Sequence, residues 1–152
     1  MRSNSIAVLV SITLSYKRPE NFGNSYDLPP GETVSYYIDD FVHPIPRNKV
    51  ELYQTMAQSI GNIWKAYGAI EDKEFLGDDM HLEGTRSFHE LLTTTADEVV
   101  IFGWVAFESK AIRDEANKKI ATDPRVAELM SGLDSGFDGQ RMGYGGFMEF
   151  IK

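Results

Sequence analysis

Cysteine is absent from the 152 residues, which excludes disulfides, thiolate catalysis and cysteine-ligated zinc but leaves the compartment open. Positive charge is scarce: 15 Lys and Arg stand against 23 Asp and Glu, for a net charge of -8. So acidic a chain repels nucleic acid and anionic lipid, and neither is expected as a partner. Long apolar runs are also missing. The stretch IAVLVSITL at 6–14 has nine residues, too few to span a bilayer. Tyr16, Lys17, Arg18 and Pro19 follow it, not the small residues of a secretory cleavage site. A strand is the better reading of that run, and a cytoplasmic location is the expectation. There is no G-x-S-x-G nucleophile elbow, no internal repeat and no low-complexity segment.

What is present is one ordinary core's worth of chain, 42% hydrophobic and 25% charged. Residues 1–34 read as an extension: the apolar run, then a Pro-, Gly- and Asn-rich linker at 19–34. Three basic and three acidic side chains cancel there, so the whole net charge belongs to the domain expected over 35–152.

YYIDDFVHPIP at 36–46 alternates as a strand, with Ile38 and Val42 on one side and Tyr37, Asp39 and Phe41 on the other. Asn48 and Glu51 suggest a capping box, and apolar residues from Tyr53 to Tyr67 recur at three- and four-residue steps, one face of a helix ending near Gly68. AIEDKEFLG at 69–77 reads as a polar strand, and RSFHELL at 86–92 as a possible strand beyond an acidic loop. EVVIFGWVAF at 98–107 is apolar almost throughout, a central strand covered on both faces. Ser109 can cap a helix from Lys110, and Asp123-Pro124 can start another through Met130. RMGYGGFMEFI closes the chain as a strand.

The order is βαββαβ, an α+β ferredoxin-like sandwich. Helices on one face of its sheet leave the other to be covered, and a second copy, a homodimer, is the simplest cover.

YIDDFVHPIP, Glu74, FGW at 102–104, DPR at 123–125 and FDGQRMGYGGF at 137–147 together resemble the YbaA-like family of small bacterial proteins of unknown function (DUF1428). The resemblance spans about residues 36–150 and implies a dimeric α+β barrel. Asp40 and Gly143 depart from the family pattern, and His43 and His89 are not among its features.

FDGQRMGYGGF holds four glycines. A phosphate loop needs a helix start after its glycines, and only a few residues follow. Gly143, Gly145 and Gly146 therefore fall inside the last strand, leaving room for an aromatic such as Trp104 or for a ligand.

Asp39 and Glu74 lie on separate strands. If Ile38 and Val42 face the helices, Asp39 faces the barrel, where burial raises a carboxyl pKa toward proton transfer. The other reading pairs these acids structurally with Arg86 or Arg141. The barrel resemblance implies a small organic ligand and cofactor-free chemistry, with Asp39 as general base or acid, Glu74 as its partner and Arg141 as an anion clamp. Tyr37, Trp104 and Tyr144 would contact substrate; core packing is the competing reading of Trp104 and Tyr144. A non-catalytic binding module is the alternative to an enzyme. His81 sits among Asp78, Asp79 and Glu83, and His89 precedes Glu90, but nothing makes His43, His81 and His89 converge on a metal or haem, so no cofactor is expected.

Overall fold

A computed structural model describes residues 36–151; the expected N-terminal extension lies outside them. The strands are β1 (Tyr37–Pro46), β2 (Glu71–Leu76), β3 (Glu98–Phe107) and β4 (Gly143–Met148). The helices are α1 (Val50–Ala66), a short α2 (Phe88–Leu92), α3 (Lys110–Thr122) and α4 (Pro124–Gly132). The sheet order is β2-β3-β1-β4, antiparallel throughout, which is the ferredoxin-like split βαββαβ arrangement. Among the described residues no helix is long and apolar enough to cross a membrane.

Local chemistry sets most boundaries. Ser109 accepts from the Ile112 amide at the start of α3, and Asp123 accepts from the Arg125 amide ahead of Pro124 in α4. Gly68, at φ 111°, supplies the left-handed residue that ends α1. Two expectations differ. The Asn48 capping box does not form, because Arg47–Lys49 make a 3-10 turn and the helix begins at Val50 without a side-chain cap. Residues 88–92 are helix, not strand: Ser87 and Glu90 form a reciprocal capping box that satisfies the first-turn amides.

The core lies between the sheet and α1, α3 and α4. Ile45, Tyr53, Met56, Val99 and Ile101 fill one end, and Ala69, Val105, Phe107 and Ala116 fill the other. Phe107 is fully buried against the Trp64 ring at 6.0 Å; such burial stabilises by about 1.5–3 kcal/mol.

Register fixes which side chains share a face. Asp39 stands opposite Val105 and Gly146, and Glu74 opposite Gly103. Buried Val99, Ile101, Val105 and Phe107 alternate along β3 and put that phase under the helices. The expected phase of β1 is therefore reversed: Tyr37, Asp39, Phe41, His43 and Ile45 lie beneath the helices, while Ile38 and Val42 lie on the open face. The segment joining β2 to β3 partly covers that open face, with Phe88 of α2 against Phe102 at 6.3 Å.

Candidate functional site

A groove of about 550 Å³ runs between α1 and β2, with Gln54, Gln58 and Asn62 along its helix wall and Asp72 and Glu74 along its strand wall. It continues under the helix into a smaller space of about 100 Å³ that reaches Asp39, His43 and Tyr144. Tyr53, Ala57, Gly61, Asp72 and Glu74 line both, so the two form one cleft. Two glycines make its strand wall possible. A Cβ on Gly61 of α1 would overlap the Asp72 carboxylate, and one on Gly103 of β3 would lie 2.9 Å from Glu74 Cγ and 2.7 Å from the Phe41 ring. The missing methyls let two acids tuck under a helix.

Glu74 is the most perturbed carboxylate in the cleft. Burial pushes its pKa up to about 7, helped by the charge of Asp72 and opposed by a hydrogen bond from Tyr53. The Tyr53 hydroxyl donates to Glu74 Oε2 at 2.5 Å and lies 2.9 Å from His43 Nε2. His43 is 1% exposed; burial pulls its pKa down to about 4, so the ring is neutral at pH 7. Phe137 meets that ring edge-on at 5.0 Å. Burial also raises the pKa of Asp72, against the pull of Lys65, and burial with Glu74 beside it raises that of the Tyr53 phenol.

A second polar group closes the inner end. Asp39 is 6% exposed. It accepts from the Tyr144 hydroxyl at 2.9 Å, and Arg113 Nε of α3 approaches it at 3.5 Å. Arg113 also donates to the Tyr37 hydroxyl at 2.6 Å and lies over that ring, 4.6 Å from its centroid. Burial raises the Asp39 pKa in spite of the Arg113 charge.

Of the residues singled out from sequence, Asp39, Glu74 and Tyr144 line the cleft, while Tyr37 backs it through Arg113. They do so from the helix side, not the open face. Trp104 lies elsewhere: its indole donates to Glu71 at 2.8 Å on the open face, and its ring packs on Phe75 at 5.2 Å. It does not adjoin Tyr144, since β1 separates β3 from β4. Arg141 is held by a bidentate ion pair with Glu98 and is not in the cleft. Gly146 makes room for Tyr37 and Arg113, and Gly145 for Phe147; neither accommodates Trp104. His89 caps its own loop through Thr94 at 2.6 Å, and among the described residues no three His, Asp or Glu converge as metal ligands.

From sequence, Asp72, Tyr53 and Gly61 had no site role, and His43 was weighed only as a ligand to metal or haem. Tyr53 looked like an ordinary position on an apolar helix face, and Gly61 was not singled out. The one available signal was the i, i+2 spacing of Asp72 and Glu74 on a strand, which puts both carboxylates on one face.

Residues 36–139 match the family described as "Protein of unknown function (DUF1428)". The chain belongs to that family. It is 36% identical over 115 residues to Uncharacterized protein YbaA of Escherichia coli strain K12, covering 76% of this chain and 97% of that protein. The YbaA of Shigella flexneri matches to the same extent. Among solved structures, a dimeric ferredoxin-like protein from an uncultured marine organism aligns with a TM-score of 0.42 at 8% identity, over 77% of this chain and 98% of the other. All the cleft residues named above except Tyr144 fall within the span matched by the DUF1428 family.

Proposed function

We propose that this DUF1428 protein binds a small organic molecule in the cleft between α1 and β2 and that Glu74 moves a proton to or from it. The observation that carries this reading is a buried carboxylate with a pKa near 7 lining a groove large enough for a ligand. A carboxylate buried only for structure is usually matched by a cation; the partners that shape Glu74 are a phenol and another acid. A group that titrates near the working pH is suited to general acid and base catalysis. Gln54, Gln58 and Asn62 supply neutral donors and acceptors for a polar substrate, and Ile101 and Leu76 supply apolar wall. Asp39, fixed by Arg113 and Tyr144, forms the inner end of the cleft rather than the proton-transfer group.

The test is to screen metabolites for thermal stabilisation and then follow the binders by NMR for turnover or for solvent deuterium uptake. Turnover or exchange by the wild type, lost in Glu74→Gln with binding retained, supports the enzyme. Binding without either makes the cleft a non-catalytic metabolite site, the second reading. No cofactor is needed for proton transfer of this kind.

The same reading includes a homodimer. On the open sheet face Phe75, 48% exposed, packs on Trp104, which meets Phe102, and Phe147, 54% exposed, stands in register with Ile38. A second copy of that face is the cover that suits an aromatic surface of this kind.

A further inference from the structure

His43, Tyr53 and Glu74 form a continuous chain of hydrogen-bonding atoms from the buried strand β1 to the cleft. Both links are within hydrogen-bond distance: 2.9 Å from His43 Nε2 to the Tyr53 oxygen and 2.5 Å from there to Glu74 Oε2. A phenol hydroxyl has one proton to give. When Tyr53 donates to an ionised Glu74, its oxygen accepts from His43, and the imidazole must carry its proton on Nε2. His43 Nδ1 is then a bare acceptor, and no well-aligned partner meets it. The Pro44 backbone nevertheless favours a proton on this ring.

From that geometry we infer that His43–Tyr53–Glu74 is a proton relay whose hydrogen bonds reverse direction when Glu74 is protonated, so that the His43 tautomer reports the charge of Glu74. The step balances in bonds and protons. A hydronium ion entering the inner cavity gives a proton to Nδ1 and leaves as water, and the Nδ1–H bond forms as the Nε2–H bond breaks. That second proton bonds to the Tyr53 oxygen, and the proton originally on Tyr53 passes to Glu74 Oε2. The phenol is neutral before and after, and so is the imidazole; the net change is one proton gained by Glu74. Run backwards, the relay discharges Glu74 away from the ligand after it has accepted a proton. His43 and Tyr53 are thus positioning residues that act through Glu74, and this role rests on the reading of Glu74 given above.

The charges around the relay are set by five elements. Asp72 of β2 faces Glu74, Lys65 of α1 faces Asp72, and Tyr53 of α1 lies between Glu74 and His43. Asp39 of β1 shares the inner cavity with His43, with Tyr144 of β4 and Arg113 of α3 bonded or ion-paired to it. Arg113 holds its charge against Asp39, whereas Glu74 is joined to the imidazole through Tyr53, which makes Glu74 the group whose titration the ring senses. Phe41 and Phe137 flank the imidazole with apolar rings, and this disfavours an imidazolium state.

The experiment is a long-range proton–nitrogen correlation spectrum of histidine-labelled full-length protein between pH 5 and pH 9. Among the three histidines, His43 is assigned by its loss in His43→Gln. The expected result is a neutral ring throughout, with the proton on Nε2 at high pH and on Nδ1 at low pH, the change following the titration of the Glu74 carboxyl carbon. Tyr53→Phe, which removes the link, should abolish that co-titration. A single His43 tautomer across the range while Glu74 titrates would overturn the relay and leave the acid–base reading of Glu74 standing. A tautomer change that persists unaltered in Tyr53→Phe would also overturn it. A ring that becomes imidazolium near neutrality would do the same.

Discussion

Gly103 on β3 stands directly across from Glu74 on β2, and a methyl group at position 103 would lie 2.7 Å from the Lys73 carbonyl oxygen, inside van der Waals contact. The cleft therefore exists because a central strand gives up a side chain at the point where a buried acid needs the volume. That relationship makes the glycine in FGW part of the site, although it carries no functional group.

Gly103→Ala should destabilise the fold by about 1–3 kcal/mol, the usual cost of overpacking a filled interior. The Lys73 carbonyl belongs to the ladder and cannot swing aside as a side chain could. Chemical denaturation checks this, with Gly132→Ala as the comparison, since a Cβ at Gly132 meets nothing within 4 Å. Equal stability of Gly103→Ala and wild type would contradict the packing described here.

Glu74 should make the protein less stable as pH rises. Its folded-state pKa of about 7 lies above the ordinary 4.5. Between those values the native state holds a proton that the unfolded chain has released, so stability falls with rising pH across this window and stays low above it. The full effect is about 3 kcal/mol. His43 works the other way: its pKa is lowered from 6.5 to about 4, so its penalty grows as pH falls through that range. The two slopes oppose each other in the wild type, and comparison with Glu74→Gln isolates the first. The variant should be more stable than wild type at pH 8 and lose that advantage by pH 5, as read from urea midpoints at the two pH values.

Asp72→Asn should lower the Glu74 pKa, because the Asp72 charge is one of the two influences that raise it. Gly61→Ala should act in the same direction by displacing the Asp72 carboxylate, which a Cβ there would overlap. Carbon-13 titration of Glu74 in both variants checks the sign. A rise in either would mean that Asp72 does not sit where it is described.

The element order was readable from sequence because turns and caps are local. Ser109, the Asp123-Pro124 pair and Gly68 each act within a few residues of themselves. The face of β1 was not readable. Both of its sides carry apolar residues, since the strand is central and flanked by β3 and β4, so Ile38 and Val42 looked as core-like as Phe41 and Ile45. What puts Asp39 and His43 under the helices is their partners, Arg113, Tyr144 and Tyr53, which are 10 to 105 residues away in the chain. Strand pattern cannot report such pairings. Glu74 was found as a carboxylate of interest, but Tyr53 was read as plain core and Gly61 was not singled out, although both give Glu74 its character.

The homodimer is checked by light scattering. A mass near twice the chain's 17.1 kDa is expected, and Trp104→Glu, which places a charge in the middle of the aromatic face, should shift it toward the single-chain value with the fold kept. A well-folded wild-type monomer at micromolar concentration would mean that the open face has some other cover.

Burial of Glu74 in the cleft is what suits it to proton transfer at neutral pH, and the carbon-13 titration of its side-chain carboxyl in the wild-type protein tests this. A midpoint near 7 is expected, well above the ordinary 4.5, with its disappearance in Glu74→Gln. A Glu74 midpoint at the ordinary value would contradict this, leaving the cleft with no group suited to proton transfer at neutral pH.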